Sequence, residues 1–158
     1  MNQKRIYPQF LLLVGLLLTI LFVYTATSKL MHLGTFQMRL ERMPYISSFA
    51  PWISWGVPFL ELVIAGLLLV PKFRVLGLYA SLILLTLFTS YIITVLQFSD
   101  HIPCSCGGVL SVLRWDDHIL FNLVFMALAL WTIILNNIQN NKTLIDQNTA
   151  QLQGKPKT

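Results

Sequence analysis

The sequence predicts an all-α membrane protein: a four-helix transmembrane bundle with both termini cytoplasmic. Three observations lead there. The chain is 56% hydrophobic and only 11% charged, against about 25% charged residues in soluble domains. Its apolar residues gather in four long runs. The basic residues between those runs are divided unevenly between the two ends that such a bundle would have. The length, 158 residues, is that of one domain.

Residues 1–7 form a short polar lead that contains Lys4 and Arg5. Residues 8–28 carry no charge, and about 20 helical residues span a bilayer core of ~30 Å. A cleaved signal peptide would share the basic start, but its apolar core is about 7–15 residues. This run is longer, so a retained first helix is expected, closed by Lys29. Between Gly34 and Pro51, Phe36, Leu40 and Met43 recur at helical spacing with Arg39, Glu41 and Arg42 among them. That pattern suits a short interfacial helix ended by Pro44; an ordinary loop is the alternative. The second run, residues 52–70, holds one ionisable group, Glu61. A tight turn at Pro71, Lys72 and Arg74 leads into the third run, residues 75–98, which has no charge. The fourth run, residues 115–136, opens on Asp116 and Asp117, whose negative charge suits a helix N-terminus. The membrane domain is thus residues 8–136. Residues 137–158 are rich in Asn, Gln, Lys and Thr and are expected to be a disordered cytoplasmic tail, because they cannot bury a core.

With four spans, Lys4, Arg5, Lys72, Arg74, Lys142, Lys155 and Lys157 share one side, and Lys29, Arg39, Arg42 and Arg114 the other. Basic residues favour the cytoplasm, so the termini are read as inside and the 29–51 and 99–114 segments as outside. Trp52, Trp55 and Trp115 then fall at the outer interface, where aromatic belts form. The net charge of +5 follows this topological placement. It forms no basic stripe with interleaved aromatics, so nucleic acid is not an expected partner; membrane lipid is.

The two cysteines, Cys104 and Cys106, lie in the outer loop Pro103-Cys104-Ser105-Cys106-Gly107-Gly108. A bacterial periplasm is oxidising. An extended i, i+2 pair projects its side chains in parallel, so a disulfide needs a sharp bend, which Gly107 and Gly108 permit. A strained, exposed bridge is labile and oxidising, which favours a redox pair. A structural staple gains little from so short a loop. Soft-metal binding is a third reading, with His101 and His118 nearby, although Cys-x-Cys is a weak zinc signature. No cysteine lies near the inner side, so a thiol relay across the membrane is excluded. A single outer pair has to pass electrons to a second carrier, such as a quinone, or to another protein.

Glu61 is the sharpest signal within the spans. A carboxylate in mid-bilayer costs several kcal/mol, so it should face the bundle interior. Proton transfer and a hydrogen bond to a quinone are the functional readings; an interhelical packing contact is the alternative. Lys29 can reach it, because a long stem carries the ammonium inward. His118 and Asn122 are four apart and share a helix face; His118 can shuttle protons or serve as an interface group. Thr89, Ser90, Tyr91 and Thr94 read as packing or hydrogen-bonding residues.

Several of these segments resemble a known family. The "TSKL" that ends the first run and "PFLELVIAGLLL" with Pro58, Glu61 and Gly66 are similar to the DoxX-like membrane proteins. "PCSCGG" followed by "WDDHILFN" resembles their MauE branch. The likeness extends over residues 10–136 and rests on the order and spacing of features. It implies a four-helix bundle in the bacterial inner membrane, associated with maturation of methylamine dehydrogenase, whose small subunit is rich in disulfides. It also implies a periplasmic thioredoxin-like partner. By position it implicates Cys104, Cys106, Glu61 and Lys29.

The expected function is therefore thiol–disulfide exchange by Cys104 and Cys106 with a thioredoxin-like protein. Quinone would be the electron carrier, Glu61 and His118 would handle protons, and Arg39 or Arg42 would orient the quinone head. Two alternatives stand beside it: a non-enzymatic scaffold for a periplasmic enzyme, and a small metal-handling or transport protein. Four helices in a chain this short enclose little volume, so a homodimer is plausible.

Overall fold

The computed structural model describes residues 3–41, 46–98 and 115–153. Among these residues all regular structure is helical, in the order α1 (Gln3–Met31), α2 (Leu33–Glu41), a 3₁₀ turn (Ser47–Phe49), α3 (Ala50–Leu69), α4 (Arg74–Phe98) and α5 (Trp115–Gln153). Four of the helices are long and apolar enough to cross a membrane: α1, α3, α4 and α5. The protein is a multi-pass membrane protein. The short α2 lies where the periodicity of Phe36 and Leu40 placed an interfacial helix, with Leu40 buried.

The four long helices form a ring. α1 packs on α3 and α5, and α4 packs on α3 and α5. Side-chain pairings fix their directions. Arg74 lies against Gly15 while Phe88 lies against Lys29, so α1 and α4 run parallel. Asn122 meets Thr89 and Asn137 meets Tyr79, so α4 and α5 run antiparallel. One end of the bundle therefore gathers the C-terminus of α1, the N-terminus of α3, the C-terminus of α4 and the N-terminus of α5. Phe98 and Trp115, the described residues on either side of 99–114, lie at that end. Trp52 and Trp55 are exposed there too.

Each helix contributes one face to the core. Val14, Leu18, Phe22 and Ala26 recur every four residues on α1, and Ser54, Pro58, Glu61, Ala65 and Leu68 line the inner face of α3. Leu78, Leu84 and Leu85 of α4 and Ala129 and Ile133 of α5 complete the cluster. The remaining faces of the spans carry exposed Leu, Ile, Val and Phe, the composition that lipid solvates. Buried hydroxyls are hidden by bonding back to their own helix: Thr19 donates to the Gly15 carbonyl at 2.8 Å, Ser81 to Gly77 at 2.7 Å and Thr132 to Leu128 at 2.7 Å. Such internal satisfaction is what a hydrocarbon environment demands.

The α3–α4 hairpin is closed by the Phe73 N–H donating to the Val70 carbonyl at 3.0 Å and by Arg74 Nε donating to the Leu68 carbonyl at 3.1 Å. Gly77 lets the two helices approach: a Cβ there would lie 3.0 Å from the Leu68 backbone nitrogen and from its side chain. Gly77→Ala is expected to push the hairpin apart and to destabilise the protein by about 1–3 kcal/mol, the usual range for overpacking. Unfolding in mixed detergent micelles checks this; an unchanged midpoint would contradict the close approach.

One expectation is corrected. The tail from residue 137 was expected to be disordered, but α5 continues to Gln153. A helix already nucleated in the membrane extends residue by residue without a new nucleus, so a polar composition alone does not stop it. Thr143 and Thr149 turn their hydroxyls back onto the Gln139 and Ile145 carbonyls at 3.0 and 2.8 Å. After the apolar run the sequence has no helix-breaking residue until Gly154 and Pro156.

Candidate functional site

Glu61 lies on the inner face of α3, eleven residues after Ala50, or about 16 Å along the axis at 1.5 Å per residue. Its neighbours on that face are spaced three and four residues apart, so the helical repeat alone turns it inward. Its side chain is 2% exposed. A carboxylate in such a place needs a partner. Lys29 supplies it: Nζ donates to Oε1 at 2.5 Å, and the lysine side chain is 20% exposed. Lys29 stands in the last turn of α1, where a basic residue also suits the helix dipole. Its stem runs inward from that end, and the ammonium lies 5.7 Å from the centre of the Phe88 ring, a cation–π contact supplied by α4.

The second carboxylate oxygen is the exceptional atom. Thr25, one turn before Lys29, stands beside Glu61. Its single O–H, however, donates to the Phe22 carbonyl at 3.2 Å. Oε2 of Glu61 is buried with no hydrogen-bond partner among the described residues; the Thr25 hydroxyl, whose O–H rotates, is the neighbouring side chain able to donate to this carboxylate. Buried polar atoms without partners are uncommon. Here an acceptor faces the protein interior beside a cation that still has donors to give.

A second polar contact joins the other two helices. Asn122 Nδ2 donates to Thr89 Oγ1 at 3.3 Å, and the Thr89 hydroxyl donates to the Leu85 carbonyl at 2.8 Å and lies 3.9 Å from Met126 Sδ. Thr89 follows Phe88 in α4, so both contacts occupy the same level, in the half of the bundle nearer Phe98 and Trp115.

Among the residues singled out from the sequence, the structure brings Lys29 and Glu61 together. Cys104, Cys106, His101 and Arg42 lie outside the described residues. Arg39 lies in α2 and His118 in the first turn of α5, both backbone positions at the end of the bundle where Phe98 and Trp115 lie. Thr25 and Phe88 were missed as neighbours of the pair. For Thr25 a signal existed, since it precedes Lys29 by four residues and shares its face. For Phe88 none did, because its contact depends on how α4 docks. Among the described residues no group of three or more His, Cys, Asp or Glu is placed to hold a metal ion.

Fold and site together define a class: a small four-span membrane protein with a buried Lys–Glu pair joining its first and third long helices. Comparison with known families carries this further. The family model described as methylamine utilisation protein MauE matches residues 7–135. The chain belongs to the MauE family, a family of membrane proteins associated by that description with methylamine utilisation. No curated protein and no solved structure matches it.

Proposed function

We propose that the protein is a redox-associated protein of the bacterial inner membrane, with both termini in the cytoplasm. It exchanges a Cys104–Cys106 dithiol/disulfide with a periplasmic thioredoxin-like partner during the maturation of periplasmic proteins. The observation that carries this reading is the orphaned Oε2 of Glu61 beside the Lys29 ammonium. It lies near mid-height of α3, where Lys29 reaches it from the end of α1.

The exchange balances between two pairs. A thiolate of one pair attacks a sulfur of the other's disulfide, and a mixed disulfide forms. The second thiol then releases it, so that one S–S bond is broken and one made. Two electrons and two protons cross from the dithiol that is consumed to the dithiol that appears. Repeated turnover needs a second carrier, and quinone suits the membrane position. When bound, a quinone takes up or gives back two electrons and two protons.

In this reading Lys29 would offer a donor and Glu61 Oε2 an acceptor to a carbonyl/hydroxyl couple. In this reading Glu61 takes or gives a proton at Oε2, and Lys29 holds the carboxylate in place. His118 moves protons near the cysteines, and Arg39 and Arg42 orient the head group from α2 and the residues after it.

The test is the thiol state of Cys104 and Cys106 in intact cells, trapped by acid and labelled with a mass-tagged thiol reagent. A pair that cycles and shifts when quinone synthesis is blocked is the expected result. A pair fixed in one state under every condition would remove the redox reading and favour a scaffold that holds a periplasmic enzyme at the membrane.

A further inference from the structure

The 39 residues of α5 measure about 58 Å at 1.5 Å per residue, roughly twice a bilayer core of ~30 Å. Asn137 Nδ2 lies 3.5 Å from the Tyr79 hydroxyl near the start of α4. From there α5 runs on past the α3–α4 hairpin through Asn, Gln, Lys and Thr, side chains that water solvates and lipid does not. Yet this projecting part carries large apolar side chains in the open: Ile138 is 48% exposed and Ile145 64%.

These two are seven residues apart, and they extend a longer pattern. Val124, Trp131, Ile138 and Ile145 recur every seventh residue, and Leu120, Ala127, Ile134, Asn141 and Asn148 recur every seventh residue between them. Every one of these positions is exposed. Leu152 falls at the next step of the first series. A 3.5-residue alternation of this kind is the a/d seam of a coiled coil, with Ile at a and Asn at d over the projecting turns.

We infer that the cytoplasmic extension of α5 pairs in parallel with the α5 extension of a second copy of this chain. Two features select a second copy over other occupants. First, copies inserted in one bilayer with the same topology present the same helix at the same height and in the same direction. Parallel, in-register pairing then needs no adjustment, and Asn141 and Asn148 meet their own counterparts. Asn residues facing each other across such a seam hydrogen-bond only in one register, which aligns the two copies. Second, the extension carries a single basic and a single acidic side chain, Lys142 and Asp146. No run of like charge opposes close approach. The seam continues into the membrane through Ile134, Trp131 and Val124, so the same two-fold axis serves both parts. This inference stands independently of the redox reading.

The experiment uses full-length protein in native membranes, in a Cys104→Ser/Cys106→Ser background. Single cysteines are introduced by Ile138→Cys, Ile145→Cys and, as the control on the opposite helix face, Thr143→Cys, and are oxidised with copper phenanthroline. Ile138→Cys and Ile145→Cys are expected to give a covalent dimer at least about tenfold faster than Thr143→Cys, because f positions point away from the partner helix. Ile145→Asp, which lies outside the bundle and leaves its fold intact, is expected to lower the dimer fraction in single-molecule photobleaching. Equal rates at positions 145 and 143 would overturn the pairing. So would a cysteine at position 145 that never cross-links, whether it reacts freely with an aqueous thiol reagent, as a bare helix would, or resists it, as one covered by lipid or another protein would.

Discussion

Lys29→Met is expected to destabilise the protein by about 3–5 kcal/mol, the range seen when one partner of a buried ion pair is removed. Glu61 is then left with neither oxygen partnered, in a position where its side chain is only 2% exposed. Glu61→Leu should cost clearly less. Lys29 stands at the end of α1 and is 20% exposed, so its ammonium can swing to the interface when the carboxylate is gone. The double variant Lys29→Met/Glu61→Leu should regain most of the loss, since an apolar pair of similar size often replaces a buried ion pair without penalty. Unfolding midpoints of the four proteins in one detergent settle this. A cost for Glu61→Leu equal to or above that of Lys29→Met would contradict the geometry. The double variant also separates structure from chemistry. If the pair only holds α1 to α3, the refolded double variant supports maturation of periplasmic proteins; if Glu61 moves protons, the variant is stable and inactive.

Cys104→Ser/Cys106→Ser is expected to abolish thiol exchange while leaving stability within about 0.5 kcal/mol of the parent, because a bridge over so short a loop constrains the unfolded chain little. Each single substitution should behave differently from the double one. A chain that keeps only the attacking cysteine can form the mixed disulfide but cannot resolve it. It therefore accumulates a covalent complex with the thioredoxin-like partner, visible on non-reducing gels and absent after reduction. A double variant with normal maturation activity would leave the scaffold reading in its place.

The fold was largely legible in the sequence because the bilayer imposes one rule on every span. About twenty predominantly apolar residues in a row have few alternatives to a helix in a bilayer, and the runs that became α1, α3, α4 and α5 obey it, α3 with Glu61 in its middle. Lys29 and Glu61 were legible as partners because a carboxylate in mid-membrane needs a cation, and only a long side chain at a helix end can reach it. Thr89 was legible as a hydrogen-bonding residue, but its pairing with Asn122 and the place of Phe88 beside Lys29 were not. Their placement depends on the rotation of α4 about its axis, and a span that is apolar on every side says little about which face turns inward. The helical tail was misread for a related reason. Composition measures whether a segment can fold alone, whereas the residues after Asn136 inherit a helix that the membrane has already built.

The Lys29–Glu61 bond also bears on how the protein is made. α3 has to enter the bilayer with a carboxylate in its middle, and an acidic residue there opposes insertion by about 2.5–3.5 kcal/mol. By the time α3 emerges from the ribosome, α1 has already been synthesised and presents its lysine at the matching depth. The cheapest route for α3 is therefore to leave the translocon against α1 rather than to enter lipid alone. The first pair of helices is then the earliest tertiary unit, formed during translation, and α4 and α5 are added to a template that already has its charge balanced.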